Sequence, residues 1–327
     1  MFSTSIIKPY PSSIAGVYPS TSRVWNQSIG QSFCKAAVVA RFALLGLSLT
    51  FFRPLLAQAV PAQALSNLTL ANFFTEGWDQ TWSKRQTPGG APDLALLRVQ
   101  TNFLARDVRF DFLSQQDLNS TKNCTIDQFD TVLSESFNRR IMVLAYGYYE
   151  WLNSRTASNL AESSWALATR LQLIDIPGTS LDFNLKALSP TKTLGSDFTT
   201  ITPSLGGWED LTPYGLNKVG LYYSVQANNY IGPHTLGAKS VDTAYDLSLA
   251  KTWTEPTDSL QNFTTFAEVY SQTDLGGSYS GKTVVTFTPG FRTGLGHNQI
   301  FMSGVDLPVS HPRPYNWALR VTYIILF

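Results

Sequence analysis

The charged side chains that could do chemistry in this chain stand inside stretches where every second residue is apolar. They are Arg98, Glu150, Arg170, Lys186, Lys218, Glu268, Lys282, Arg292, Asp306 and Arg320. Each falls on the polar side of its stretch, so the chemistry they suggest is electrostatic rather than bond-making. Gathered on the inner wall of a barrel, they can pair as a ladder that fills the interior, or ring a constriction that sorts solutes by charge. Basic residues outnumber acidic ones in this set, which gives a filter of this kind a weak anion preference. Bond-making chemistry has less to work with. His234, His297 and His311 fall in turn-like sequence, and none stands at a recognisable spacing from a serine and an acid. Three scattered histidines make no metal site. Gly89-Gly90 and Gly276-Gly277 lack the strand, lysine and helix of a phosphate loop. The residues therefore imply no enzyme, no cofactor and no metal.

The elements that must position those charges have the period of β-strands. From Trp317 onward the apolar residues are Trp317, Leu319, Val321, Tyr323, Ile325 and Phe327, while Ala318, Arg320, Thr322, Ile324 and Leu326 occupy the other face. A barrel strand that crosses lipid needs about 9–11 tilted residues and an aromatic near each interface. Similar alternation places Leu97, Val99, Thr101 and Phe103 opposite Arg98, and Val108, Phe110 and Phe112 opposite Arg109 and Asp111. A polar connection over 114–136, holding Cys124, follows. Val143, Ala145, Gly147, Tyr149 and Trp151 then oppose Glu150. Ile176-Pro177-Gly178 predicts a tight hairpin, and Val219, Leu221, Tyr223, Val225 and Ala227 give the cleanest alternation. The pattern over 198–211 is weaker, because Thr and Gly fill both faces and Pro203 interrupts. Lys251 shares a face with Trp253 and can snorkel to an interface; Pro289 predicts a bulge or edge. The rhythm gives an all-β, antiparallel transmembrane barrel over 94–327 of about twelve strands, with about ten as the alternative, since bacterial single-chain barrels have even counts.

Charged residues are only 14% of the chain, against about 25% in ordinary globular proteins. No window reaches the roughly 18–20 apolar residues of a transmembrane helix. The longest apolar run, 42–52, follows Lys35 and Arg41 and precedes Ala57-Gln58-Ala59 and Ala62-Gln63-Ala64, the composition of an export signal with small residues at its cleavage sites. Cleavage after Ala64 is expected. The segment 1–64 carries Lys8, Arg23, Lys35, Arg41 and Arg53 and no acidic residue, so its removal leaves 19 basic against 23 acidic residues, a net charge of −4. That balance implies no nucleic-acid partner. Cys34 leaves with the leader, and Cys124 alone makes no internal disulfide. Between leader and barrel, 65–93 contains Phe73, Phe74, Trp78 and Trp82. These predict a periplasmic segment that anchors at the rim or plugs the mouth.

The final stretch resembles the closing strand of bacterial outer-membrane β-barrels, whose alternation ending in Phe is an assembly signal. That resemblance implies the bacterial outer membrane; residues 1–30, rich in Ser and free of acid, read as an organellar transit segment give an organellar outer membrane as the alternative. It also implies membrane lipids and the barrel assembly machinery as partners. The run from Thr288-Pro289-Gly290-Phe291-Arg292 through Gly304-Val305-Asp306-Leu307-Pro308-Val309 to Pro312-Arg313-Pro314-Tyr315 loosely resembles outer-membrane channels linked to uptake of aromatic and fatty compounds, of the phenol-degradation meta-pathway type. The expected function is a passive pore for small solutes. A structural or adhesive barrel without conductance is the first alternative, and a barrel-embedded enzyme or a soluble secreted β-protein the second. The sequence does not indicate an oligomeric state.

Overall fold

A computed structural model describes residues 65–327 apart from 84, 86–89, 100–102, 119–123, 154–157, 190–198, 232–240, 277–279, 297 and 312. The expected leader over 1–64, His234 and His297 lie outside the described residues. Twelve strands form one closed barrel in which every neighbouring pair is antiparallel. In order they are β1 (Asp107–Gln116), β2 (Thr125–Ser136), β3 (Ile141–Asn153), β4 (Ser158–Ile176), β5 (Thr179–Leu188), β6 (Thr199–Asp210), β7 (Val219–Ile231), β8 (Val241–Thr252), β9 (Gln261–Asp274), β10 (Thr283–Gly296), β11 (Gln299–Pro308) and β12 (Trp317–Leu326). β1 closes the sheet against β12, from Asp107↔Leu326 to Gln116↔Trp317. Closure leaves no unpaired edge.

The alternation works as the sequence indicates. Tyr245, Leu247 and Leu249 of β8 are exposed, while Asp246, Ser248 and Ala250 between them are buried inside. In β12 the apolar residues from Trp317 to Ile325 face outward, and Ala318, Thr322 and Ile324 face in. One rim carries Asp107, Leu326 and short connections such as 177–178 and 137–140, and we call it the turn rim. Near it Lys251 lies over the Trp253 ring, 5.5 Å from the centroid, and bonds to the Asn217 carbonyl, which is the expected snorkel. The bulge or edge expected at Pro289 does not occur there: Pro289 pairs with Ala267 of β9, the β10–β11 register runs unshifted from Phe287↔Leu307 to Gly290↔Gly304, and the irregularities of β10 fall at Arg292–Gly294 and Gly294–Gly296.

Two sequence expectations are corrected. The stretch read as a first strand over Leu97–Phe103 is not in the wall, which begins at Asp107. The polar connection expected over 114–136 contains β2 instead. Its outward positions include Asp127, Thr131 and Glu135, which dilute the apolar signal, but its ladders to Asp111↔Asp130 on one side and Asp130↔Tyr148 on the other leave no choice of phase.

Upstream of the wall, residues 65–83 lie on the turn rim. Leu68 pairs with Asp175 through two backbone hydrogen bonds of 3.0 and 2.9 Å. Arg85 and Arg139 share the Asp175 carboxylate at 2.9 and 2.7 Å. Phe73, Phe74 and Trp78 form an edge-to-face cluster with Arg140 over the Phe73 ring, and Phe74 is almost wholly exposed. The chain then enters the barrel.

The lumen as candidate functional site

Residues 91–99 run into the lumen from the turn rim, and 103–105 lie inside it before β1 begins at that rim. Their backbone makes no ladder, yet irregular backbone at membrane depth persists only where protein satisfies its polar groups. The wall supplies those partners from most of the circumference. Arg292 on β10 donates to the carbonyls of Leu94 and Ala95, both at 2.9 Å. Arg109 on β1 donates to those of Leu96 and Leu97 at 3.3 and 3.2 Å, and Arg170 on β4 to that of Phe103 at 3.1 Å. Glu268 on β9 accepts the N–H groups of Arg98 and Val99, while Asp210 on β6 accepts that of Ala91. Tyr222 donates its hydroxyl to the Pro92 carbonyl at 2.9 Å. The segment is therefore a plug whose peptide groups are capped by charged side chains, each such bond contributing about 1.5–3 kcal/mol.

Apolar packing holds the same segment. Leu96, Leu97 and Val99 are buried against Trp208, Phe266 and Met302, and Phe103 and Leu104 against Met142 and Leu144. Gly304 makes room for Leu97: a β-carbon there would stand 2.6 Å from the Leu97 methyl. Its ladder partner Gly290 likewise accommodates the Phe266 ring. At the tip, the Arg98 guanidinium binds Asp306 at 2.8 Å and lies 4.1 Å from the centroid of the Tyr270 ring. Arg320 binds the same carboxylate at 2.7 Å, and Thr288 donates to its second oxygen at 2.7 Å.

The wall from β1 to β7, which also supplies caps through Arg109, Arg170, Asp210 and Tyr222, borders open space as well. Beside the plug lies a cavity of about 230 Å³, whose lining includes Asp130, Tyr146, Tyr148, Asn184, Lys186 and Gln226. At about 30 Å³ per molecule that is room for about eight waters. The Tyr146 and Tyr148 rings are parallel, with centroids 5.9 Å apart. Lys186 reaches over the small, buried Ala166 and Ala168 of β4 to within 5.6 Å of the Tyr146 centroid. Asp130 is held by the Gln128 amide at 2.8 Å.

The structure thus distributes the sequence-picked charges in three ways. Arg98, Arg170, Glu268, Arg292, Asp306 and Arg320 are inside and committed to the plug or to one another. Lys186 is inside and faces the cavity, and Glu150 has the inward phase near the far end of β3. Lys218 and Lys282 are corrections. Lys218 sits in the turn before β7, bonded to Glu255, and Lys282 is exposed in the connection before β10. Both precede their strands, where the alternating phase no longer fixes a side chain inward. Phe73, Phe74 and Trp78 belong to the rim, whereas Trp82 donates to the Leu104 carbonyl at 3.2 Å and so supports the plug. Tyr146, Tyr148 and Asn184 escaped the sequence reading because attention to charge passes over them, although their inward phase was readable from Glu150 and Lys186.

A closed barrel of twelve antiparallel strands with an apolar exterior and a charged interior is a transmembrane β-barrel of the bacterial outer-membrane type. The fold is similar to that of the COG4313 outer membrane channel from Pseudomonas putida F1, with a TM-score of 0.53 and 9% identity over 75% of this chain and 100% of that one. Weaker likenesses are the β domain of the Bordetella autotransporter BrkA (TM-score 0.46, 11% identity, 68% and 98% covered) and the KdgM porin in complex with disordered oligogalacturonate (0.43, 12%, 68% and 99%). Identities this low speak to fold alone. No protein-family model and no curated protein matches the chain.

Proposed function

We propose that this barrel is a passive outer-membrane channel for small solutes, corked from the turn rim by residues 91–105. The observation that carries the reading is the asymmetric lumen: a cavity of about 230 Å³ with polar lining residues lies beside the plug instead of the plug filling the whole section. A twelve-stranded barrel is wider than the eight-stranded ones that side chains alone can fill, so a segment and a solute path can share it. The test is planar-bilayer conductance of the purified protein. Small discrete steps in the intact protein, enlarged when 91–103 is deleted, support the channel. The competing reading, a structural barrel, draws on the number of wall charges spent on capping the plug; silence of both proteins in the bilayer, with both properly folded, would establish it.

A further inference from the structure

The cavity side of the lumen carries a set of polar groups with no hydrogen-bonding partner among the described residues. The Lys186 ammonium makes no ion pair among the described residues, although Asp107, Asp111 and Asp130 line the same cavity, and its contact is the Tyr146 ring. The hydroxyls of Tyr146 and Tyr148 make no hydrogen bond among the described residues, and both residues line the cavity. Asn184, only 4% exposed, belongs to the lining of the same cavity, and its buried side-chain oxygen is without a donor. Buried polar groups are satisfied as a rule, and exceptions at a cavity mark where something else binds. Arg98, Arg170, Arg292 and Arg320 each have a protein acceptor within 3.1 Å, with the Nε atoms of Arg170 and Arg292 left unpartnered.

From these groups we infer that the cavity is a binding site for a small, flat organic carboxylate bearing a second hydrogen-bond donor. A carboxylate set against the Lys186 ammonium takes the two tyrosine hydroxyls as further donors, the charge-assisted arrangement that is stronger than neutral pairs. The parallel Tyr146 and Tyr148 rings give a flat apolar wall for the body of the solute. Asn184, two residues from Lys186 on the same face of β5, accepts from a hydroxyl or amine at the far end of that body. The size agrees, since the cavity admits one small molecule and no chain. The inference deepens the channel reading by naming a solute class, but binding does not require passage, so the two can fail separately.

The experiment is isothermal titration calorimetry on the purified full barrel in a detergent with uncharged headgroups, using para-hydroxybenzoate, benzoate, acetate and the neutral para-hydroxybenzyl alcohol as probes. Saturable binding of para-hydroxybenzoate is expected, tighter than that of benzoate. Acetate and the alcohol, each lacking one half of the recognition, are each expected to bind about tenfold more weakly. Lys186→Met should weaken para-hydroxybenzoate by about tenfold and leave the neutral alcohol unchanged. Each variant is checked for the folded gel shift without boiling, and Lys186→Gln replaces the methionine variant if that fails to fold. Absence of saturable binding at millimolar para-hydroxybenzoate, binding unchanged in the Lys186 variant, or acetate binding as tightly as the aromatic acids would each overturn the site. Binding by a barrel that does not conduct would keep the site and remove the channel.

Discussion

The two sides of the lumen use the same residue types for opposite purposes. Along β8 to β12, arginines and acids end on plug backbone or on one another: Arg292 on two carbonyls, Glu268 on two N–H groups, Asp306 on two guanidiniums. Along β2 to β5, Lys186 and two tyrosines meet an open cavity. A charge inside a barrel is therefore not in itself a filter. What decides its role is whether an irregular segment brings it peptide groups to cap, as it does for Arg109 and Arg170 but not for Lys186 among the residues that line the cavity.

The comparison can be broken experimentally, and the largest effect is expected from removing the plug. Deleting residues 91–103 should raise single-channel conductance at least about threefold, since the corked side then joins the cavity. An unchanged step size would mean that the segment does not limit passage. Next in size, Arg292→Met leaves two buried carbonyls without their charged donor and should cost about 3 kcal/mol, read as a lower urea midpoint for loss of the folded gel band, with brief openings to larger steps. Lys186→Gln should do the reverse: anion preference in a salt gradient falls about twofold, while the urea midpoint stays put. If Lys186→Gln destabilises the barrel as Arg292→Met does, the division between capping and open sides is wrong. The smallest effect belongs to Lys218→Met, whose partner Glu255 is 60% exposed. Such a pair contributes at most about 1 kcal/mol, and no change in selectivity is expected.

Most of the wall was legible because lipid imposes a strict rule: outward residues must be apolar, so period two survives in β7, β8 and β12. β2 was hidden where Asp127 and Glu135 stand on the outward face. The plug was hidden for the opposite reason. Leu97, Val99 and Phe103 alternate with Arg98 as a strand would, yet their apolar side chains pack inside the lumen and their peptides are bound by side chains from the wall. A strand and a segment threaded through a half-polar tube face the same two environments, so local pattern does not separate them. The count of twelve nevertheless matched, since the lost strand over 97–103 was offset by the unrecognised β2. Of the candidate site, the charges were visible through their phase, but which of them had protein partners depended on contacts such as Arg98 with Asp306, far apart in the chain.

That separation has a consequence for when the protein becomes functional. Arg98 and Asp306 are 208 residues apart, and Gly304, which admits Leu97, lies on the penultimate strand. The earliest part of the barrel region is thus completed by nearly the last part to be made. Contacts of such long range form slowly, and until β11 and β12 arrive the plug has neither its notch nor its carboxylate. Seating Leu97 and Arg98 and closing the sheet through β12 thus both wait on the last strands made.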